Sequence, residues 1–256
     1  MKRMKIGIIG GTGGMGRWFA RFFQNEGCEV YVSGRNSGPD FSEIAKKCGV
    51  VLISVPIAVT VQVIERIGPL LPESALLMDL TSLKEEPVKA MLQFSSAEVV
   101  GLHPLFGPRV KSLAGHRIVI CPARMKSTFP HIRGLFLKHQ ARLIEATPEH
   151  HDEMMAFVQG LNHLNSILLG LTLGRSGVDL EELKQFTTPI FKTKLDILKK
   201  IFSSNSRLYA EIITGNRHIG PVLSGYAESL AELRKIIDLG DGEKVQKRID
   251  KTNLEF

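Results

Sequence analysis

Cysteine is scarce in this chain: three in 256 residues, Cys28, Cys48 and Cys121. They lie far apart and show no CxxC spacing, which argues against a disulfide framework and a zinc site and for buried, inert thiols. Long apolar runs are missing too. No stretch approaches the roughly 18 residues that a membrane-crossing helix needs. The opening MKRMKIGIIGG sets a basic tip directly on a short apolar run, without the longer apolar stretch and small-residue cleavage site of a signal peptide. The expectation is a cytoplasmic protein with no membrane partner. Internal repeats and low-complexity linkers are absent. The formal charge is +7, but the basic residues are spread out, with no dense run and no interleaved aromatics. That argues against nucleic acid as a partner. A diffuse positive surface suits small polyanions instead.

What is present is an ordinary globular mix, 43% apolar and 23% charged, in a chain long enough for one large or two smaller cores. Met4–Ile9 is a short apolar run, followed by a cluster of glycines and then by Trp18, Phe19, Phe22 and Phe23 at helical spacing. This reads as strand, tight turn, helix. Further strands are expected at Glu29–Ser33, Val50–Pro56, Ala75–Leu80, Glu98–Leu102, Arg117–Cys121 and near Arg142–Glu145, with a helix from about Val59. Strands alternating with helical patterns imply an α/β fold, a doubly wound parallel sheet of Rossmann type.

The pattern changes at Thr147-Pro148, a good N-cap followed by a good first helical residue. Beyond it Met154, Phe157, Leu161, Leu164, Leu168 and Leu171 recur every three or four residues, and further helical stretches follow Pro189, about Ser206 and Pro221. The expected organisation is a dinucleotide-binding unit over 1–148 and an all-α unit over 149–256 that binds substrate and makes a homodimer. The last residues, KTNLEF, carry no stop signal, so the chain could be a domain of a longer polypeptide.

Gly11-Thr12-Gly13-Gly14-Met15-Gly16 fits GxGxxG. In that motif the first glycine allows the turn, the second lets backbone approach a pyrophosphate, and the third lets helix and strand pack closely. The helix N-terminus then offers free N–H groups and the positive end of its dipole. The motif follows an apolar strand and opens a helix, the context it requires. After the second strand an NAD enzyme usually has Asp or Glu for the ribose 2′-hydroxyl. Here stand Ser33-Gly34-Arg35-Asn36. A hydroxyl and a guanidinium would bind a 2′-phosphate that a carboxylate would repel, so NADP is favoured and NAD is not excluded.

Gly101-Leu102-His103-Pro104-Leu105-Phe106-Gly107-Pro108 is placed just past the fifth strand, and ligands of such sheets bind outside the carboxyl ends of the strands. His103 is therefore the candidate catalytic residue, against the alternative of a histidine that only caps a strand. This stretch resembles the GLHPMFGP signature of the prephenate dehydrogenase family. Asp79-Leu80-Thr81-Ser82-Leu83-Lys84 is similar to that family's D-x-x-S-V-K segment. So are His151-Asp152 with Met155-Ala156-Phe157-Val158-Gln159, Thr188-Pro189-Ile190-Phe191, and Leu208-Tyr209-Ala210-Glu211-Ile212-Ile213. The matches run in order along nearly the whole chain and lie closest to the dehydrogenase half of bifunctional chorismate mutase–prephenate dehydrogenases.

The resemblance implies NAD(P)-dependent oxidative decarboxylation of prephenate to 4-hydroxyphenylpyruvate, in tyrosine biosynthesis. It implies His103 as general base, Ser82 orienting the hydroxyl or the histidine, and Lys84 offering charge to the substrate. Ser82 could equally cap the next helix with Glu85, and Lys84 could be solvated. Where related sequences carry arginines for the substrate carboxylates, this chain has Lys192 and Lys200, and Asn162 stands at a third such position. A lysine carries the charge without the bidentate fork. His163 matches a position near the substrate side chain, or is a core histidine. These departures leave arogenate as an alternative substrate. Two other readings remain: an F420-dependent NADP reductase, which shares the glycine loop and the Ser33–Arg35 turn, and a non-catalytic NADP-binding regulator.

Overall fold

In the computed structural model, which describes residues 3–204 and 206–252, the first half of the chain forms a seven-stranded sheet of order β2-β1-β3-β4-β5-β6-β7. The elements follow as β1 (Lys5–Ile9), α1 (Gly14–Asn25), β2 (Glu29–Ser33), α2 (Phe41–Lys47), β3 (Val50–Ile53), α3 (Ile57–Ile67), β4 (Leu76–Asp79), α4 (Glu85–Phe94), β5 (Glu98–Pro104), β6 (Arg117–Arg124), α5 (Phe129–Lys138) and β7 (Arg142–Glu145). Strands β3 and β4 are buried along their whole length, because helices cover both faces. That is why they read as unbroken apolar runs rather than alternating ones. One core holds the aromatic face of α1, Trp18, Phe19, Phe22 and Phe23, against Phe129, Ile132 and Phe136 of α5. The other holds Ile44 of α2, Ile64 and Ile67 of α3, and Val88 and Met91 of α4.

The sheet is not parallel throughout. β5 and β6 pair antiparallel, and β6 and β7 are parallel to each other. Parallel pairing needs a crossover, usually a helix. The connection 105–116 contains none, so the chain turns back beside β5. Segment α5 then supplies a crossover for β7. A strand's own residues look the same in either direction, so alternation alone could not reveal this reversal.

After β7 come α6 (Pro148–Met155), a π-helical segment (Ala156–Leu161), α7 (Asn162–Ser176), α8 (Leu180–Gln185), α9 (Pro189–Ser204), α10 (Ser206–Gly215), α11 (Ile219–Asp238) and α12 (Gly242–Asp250). Thr147 caps α6 as its residue type suggests, its hydroxyl accepting the His150 N–H at 3.1 Å. Within this chain α7, α8, α11 and α12 bury none of their residues fully. Met154, Phe157, Leu168 and Leu171, periodic in the sequence, stand exposed. Among the described residues no helix is long and apolar enough to cross a membrane.

Candidate active site

The glycine loop closes the carboxyl end of β1. Its left-handed residue is Gly10, with φ +78°; a Cβ there would meet the Ser54 carbonyl oxygen at 2.2 Å. Sequence reasoning assigned the turn to Gly11, whose added Cβ would instead press on Val32. Gly16 gives α1 its close seat, since a Cβ would stand 2.5 Å from the Gly10 carbonyl oxygen. No side chain caps α1 at Gly13, so the first-turn N–H groups of Gly14, Met15 and Gly16 lack a side-chain partner and can meet an anion. Beside the loop lies a cleft of about 990 Å³, lined by Gly10, Thr12, Gly13, Ser33, Arg35 and Asn36 among others. Its size and its mixture of glycine backbone, hydroxyls and an arginine fit a dinucleotide.

The segment that follows the candidate catalytic histidine is locked to this loop. Pro108 lies 3.0 Å from where a Cβ on Gly14 would stand. The Trp18 indole donates to the Val110 carbonyl at 2.8 Å, and Phe106 meets the Trp18 ring edge-on. The nucleotide loop and the end of β5 are thus one packed unit.

His103 sits on β5 itself, paired in register with Val119, and is buried; the strand runs two residues past its sequence-predicted end. Its Nδ1 lies 2.8 Å from His151 Nε2, and His151 Nδ1 lies 2.6 Å from Asp152 Oδ1. Asp152 also accepts the Lys84 and Glu85 backbone N–H groups, at 2.8 and 3.0 Å, at the first turn of α4. A carboxylate that only accepts fixes the tautomers down the line. His151 carries its proton on Nδ1 and accepts at Nε2. His103 then donates from Nδ1, which leaves its Nε2 with a lone pair. Gln159 Nε2 approaches that lone pair at 3.3 Å, while Gln159 Oε1 is buried with no protein partner among the described residues. Gln159 lies in the π-helical segment, a local widening that often marks functional positions. Burial drives the His103 pKa well below the usual 6.5, and the neighbouring His151 and Lys84 push the same way. The imidazole is therefore neutral at pH 7, as a proton acceptor must be.

Lys84 is not a surface cation. Its side chain is fully buried, its ammonium ion-paired with Asp79 and donating to the Leu102 carbonyl at 2.9 Å. The Leu102 carbonyl it holds is next to His103 on β5, so this buried pair, and not the solvated lysine that the sequence left open, is what the fold makes of the residue expected to offer charge to the substrate. Asp79 also accepts from the Thr81 N–H and hydroxyl, while its Oδ1 has no partner among the described residues. Ser82 is half-buried and does not cap α4; Asp152 does that from α6.

On the helical side His163 packs edge-on against Tyr209, centroids 4.6 Å apart. Its pKa is lowered by burial and by nearby Lys200, so the structure brings these three together. Lys192 stands exposed on the first turn of α9. The turn after α10 fastens onto α6 and the start of α4: Asn216 donates to the Asp152 carbonyl at 2.7 Å, and His218 and Arg217 both pair with Glu85. Sequence reasoning gave no role to Gly10, His151, Asp152 or Gln159. The His151-Asp152 pair, at the junction between the last strand and the apolar helical stretch, was the available signal for two of them.

Two family models match the chain. "Prephenate dehydrogenase, nucleotide-binding domain" covers residues 19–145 and "Prephenate dehydrogenase, dimerization domain" covers 147–251. The chain is 37% identical to a "Probable arogenate/prephenate dehydrogenase" of Methanocaldococcus jannaschii, over 94% of this chain and 58% of that protein. It is 34% identical to the "T-protein" of Enterobacter agglomerans, over 91% of this chain and 62% of that one. It thus spans about three fifths of these relatives. By fold it is similar to prephenate dehydrogenase from A. aeolicus, solved with hydroxyphenyl propionate and NAD+, with TM-score 0.78, 19% identity, and 98% and 96% of the two chains covered. It is also similar to Synechocystis arogenate dehydrogenase, with TM-score 0.74, 19% identity and 98% of each chain covered.

Proposed function

The chain belongs to the prephenate dehydrogenase family, and from that membership we propose that it converts prephenate to 4-hydroxyphenylpyruvate by oxidative decarboxylation, a step of tyrosine biosynthesis. The observation that carries the reading is the His103–His151–Asp152 relay, which leaves a neutral imidazole whose Nε2 lone pair is approached only by the Gln159 amide among the described residues, on a strand whose end packs against the glycine loop. A purely nucleotide-sensing protein would have no use for it.

The bound nicotinamide supplies the acceptor for a hydride. The remaining work falls to the chain. His103 Nε2 takes the proton of the ring hydroxyl as the hydride leaves the same carbon. The bond from the opposite ring carbon to its carboxylate breaks, its electron pair enters the ring, and carbon dioxide departs. The positive charge that arises on His103 is shared through His151 towards the Asp152 carboxylate. Gln159 flanks the accepting nitrogen, and its free oxygen is placed to accept a hydrogen bond from a ligand. Ser82, on the loop after β4, orients the hydroxyl. His163, Lys192 and Lys200 face the side-chain end of the substrate, the lysines answering its carboxylates. Lys84, buried under β5, acts through the position of His103.

For the cofactor, Gly11, Thr12, Gly13, Gly14, Met15 and Gly16 form the pyrophosphate turn, with Gly10 shaping it. Ser33, Arg35 and Asn36, with no carboxylate at the end of β2, favour NADP over NAD. The helical half forms a homodimer, since helices that bury nothing within one chain carry exposed apolar faces. Arogenate is the second reading, named beside prephenate for the Methanocaldococcus relative and left open by lysines in place of arginines. Turnover of prephenate and of arogenate, each with NADP and with NAD, tests the assignment. The best rate is expected with prephenate and NADP, and silence with all four pairs would refute it.

A further inference from the structure

The far end of the nucleotide cleft contains a feature that the glycine motif does not require. Val59, Val63 and Arg66 of α3 all line the cleft. They are spaced four and three residues apart, so they form one face of the helix. Across from them, Phe41 opens α2 directly after its N-cap Asp40. The Arg66 guanidinium lies over the Phe41 ring, its carbon 4.8 Å from the centroid. A flexible exposed arginine is thereby given a fixed plane at the mouth of an apolar wall. Arg35 approaches the same cleft from the end of β2, on the other side of the loop.

We infer that Arg66 is a binding residue for the adenine ring: Phe41, the guanidinium and the base form a three-layer stack, with Val59 and Val63 as the apolar floor. The placement follows from the cleft itself. The glycine loop and the start of α1 mark the phosphates, and His103 on β5 marks the reacting end. The part of the cleft beyond β2 and β3 is what remains for the adenosine half. The guanidinium carbon lies 4.8 Å from the Phe41 centroid, Arg66 is exposed, and both residues line the cleft. A planar cation stacks well on a purine, and such stacking is indifferent to the 2′ position. Arg66 therefore sets how tightly either nucleotide binds, while Arg35 sets which one is preferred. This rests on the cleft being the nucleotide site but not on prephenate being the substrate.

The experiment is a calorimetric titration of the full chain with ADP-ribose and with 2′-phospho-ADP-ribose, which needs no turnover. Arg66→Ala is expected to weaken both ligands by the same factor, about tenfold. Arg66→Lys, which keeps the charge and loses the plane, is expected to behave like Arg66→Ala. Phe41→Leu, which removes the seat, is expected to weaken both by a smaller common factor. Arg35→Ala should weaken only the 2′-phosphorylated ligand. Unchanged affinities in Arg66→Ala, a loss confined to the 2′-phosphorylated ligand, or full rescue by lysine would each overturn the proposal. If both ligands bind as expected while prephenate is not turned over, the substrate assignment fails and the adenine platform stands.

Discussion

His103 of β5 and His151 of α6 lie 2.8 Å apart, Nδ1 to Nε2, where the sheet meets the helical layer. The two residues are 48 positions apart in the chain. Their contact makes the first helix after the sheet part of the chemistry, because the proton on one ring decides which nitrogen of the other is free. Asp152 anchors the pair and, with the same carboxylate, caps α4. One side chain therefore fixes both a tautomer and the angle between two helices.

Asp152→Asn tests that double role. The amide can donate to His151 Nδ1, which would reverse the tautomers and put the His103 proton on Nε2. The expected result is a fall in kcat of about 10²-fold or more, with the KM for NADP little changed. The acid limb of the rate profile should move as well, which loss of a helix cap alone would not cause. Steady-state kinetics across a pH series reads all three.

The pH dependence has a definite sign. Burial holds the pKa of His103 well below 6.5 in the folded protein, whereas the unfolded chain titrates near about 6.5. Turnover needs the neutral ring, so rates should stay flat through neutrality and fall only on the acid side of 6.5. Stability follows the same direction. Below the unfolded value the unfolded chain binds a proton that the folded one refuses, so folding weakens as pH falls towards the folded pKa. Urea unfolding at stepped pH should show this loss, and His103→Asn should make it shallower.

Much of this architecture was legible in the sequence, and the remainder was hidden for physical reasons. The strand positions, the glycine loop, the Thr147 cap and the His103 stretch are local patterns, and local patterns survive in a single sequence. The antiparallel β6 was not legible, since strand direction depends on what the connecting segment 105–116 does. Lys84 looked like a solvated or ligand-facing cation because its partners, Asp79 and Leu102, meet it only in the fold. Gln159 points at His103 from 56 positions away, out of a π-helical turn that no periodicity announces.

Lys84→Met separates burial from ligand contact. Both charges of the Lys84–Asp79 pair are fully buried, so removing one strands the other, at a cost of about 3–5 kcal/mol in folding stability. Lys192→Ala, on an exposed turn, should leave the melting temperature unchanged and raise the KM for prephenate. Thermal unfolding beside kinetics distinguishes the two lysines; equal and small stability effects would contradict the buried role.

The unpaired apolar faces of α7 and α11 should be covered by a second copy. Sedimentation equilibrium at micromolar concentration is expected to give twice the chain mass. Leu168→Glu with Leu171→Glu should shift the population towards monomer and lower the melting temperature. A monomeric native protein would contradict this.

In the proposed reaction Nε2 of His103, flanked by the Gln159 amide, takes the substrate's proton. That proton transfer is tested most directly by comparing the native protein with His103→Asn, following reduced nicotinamide with prephenate and NADP while measuring NADP affinity separately. Affinity is expected to be retained and turnover to fall by about 10²- to 10⁴-fold. Near-native turnover by His103→Asn would contradict it.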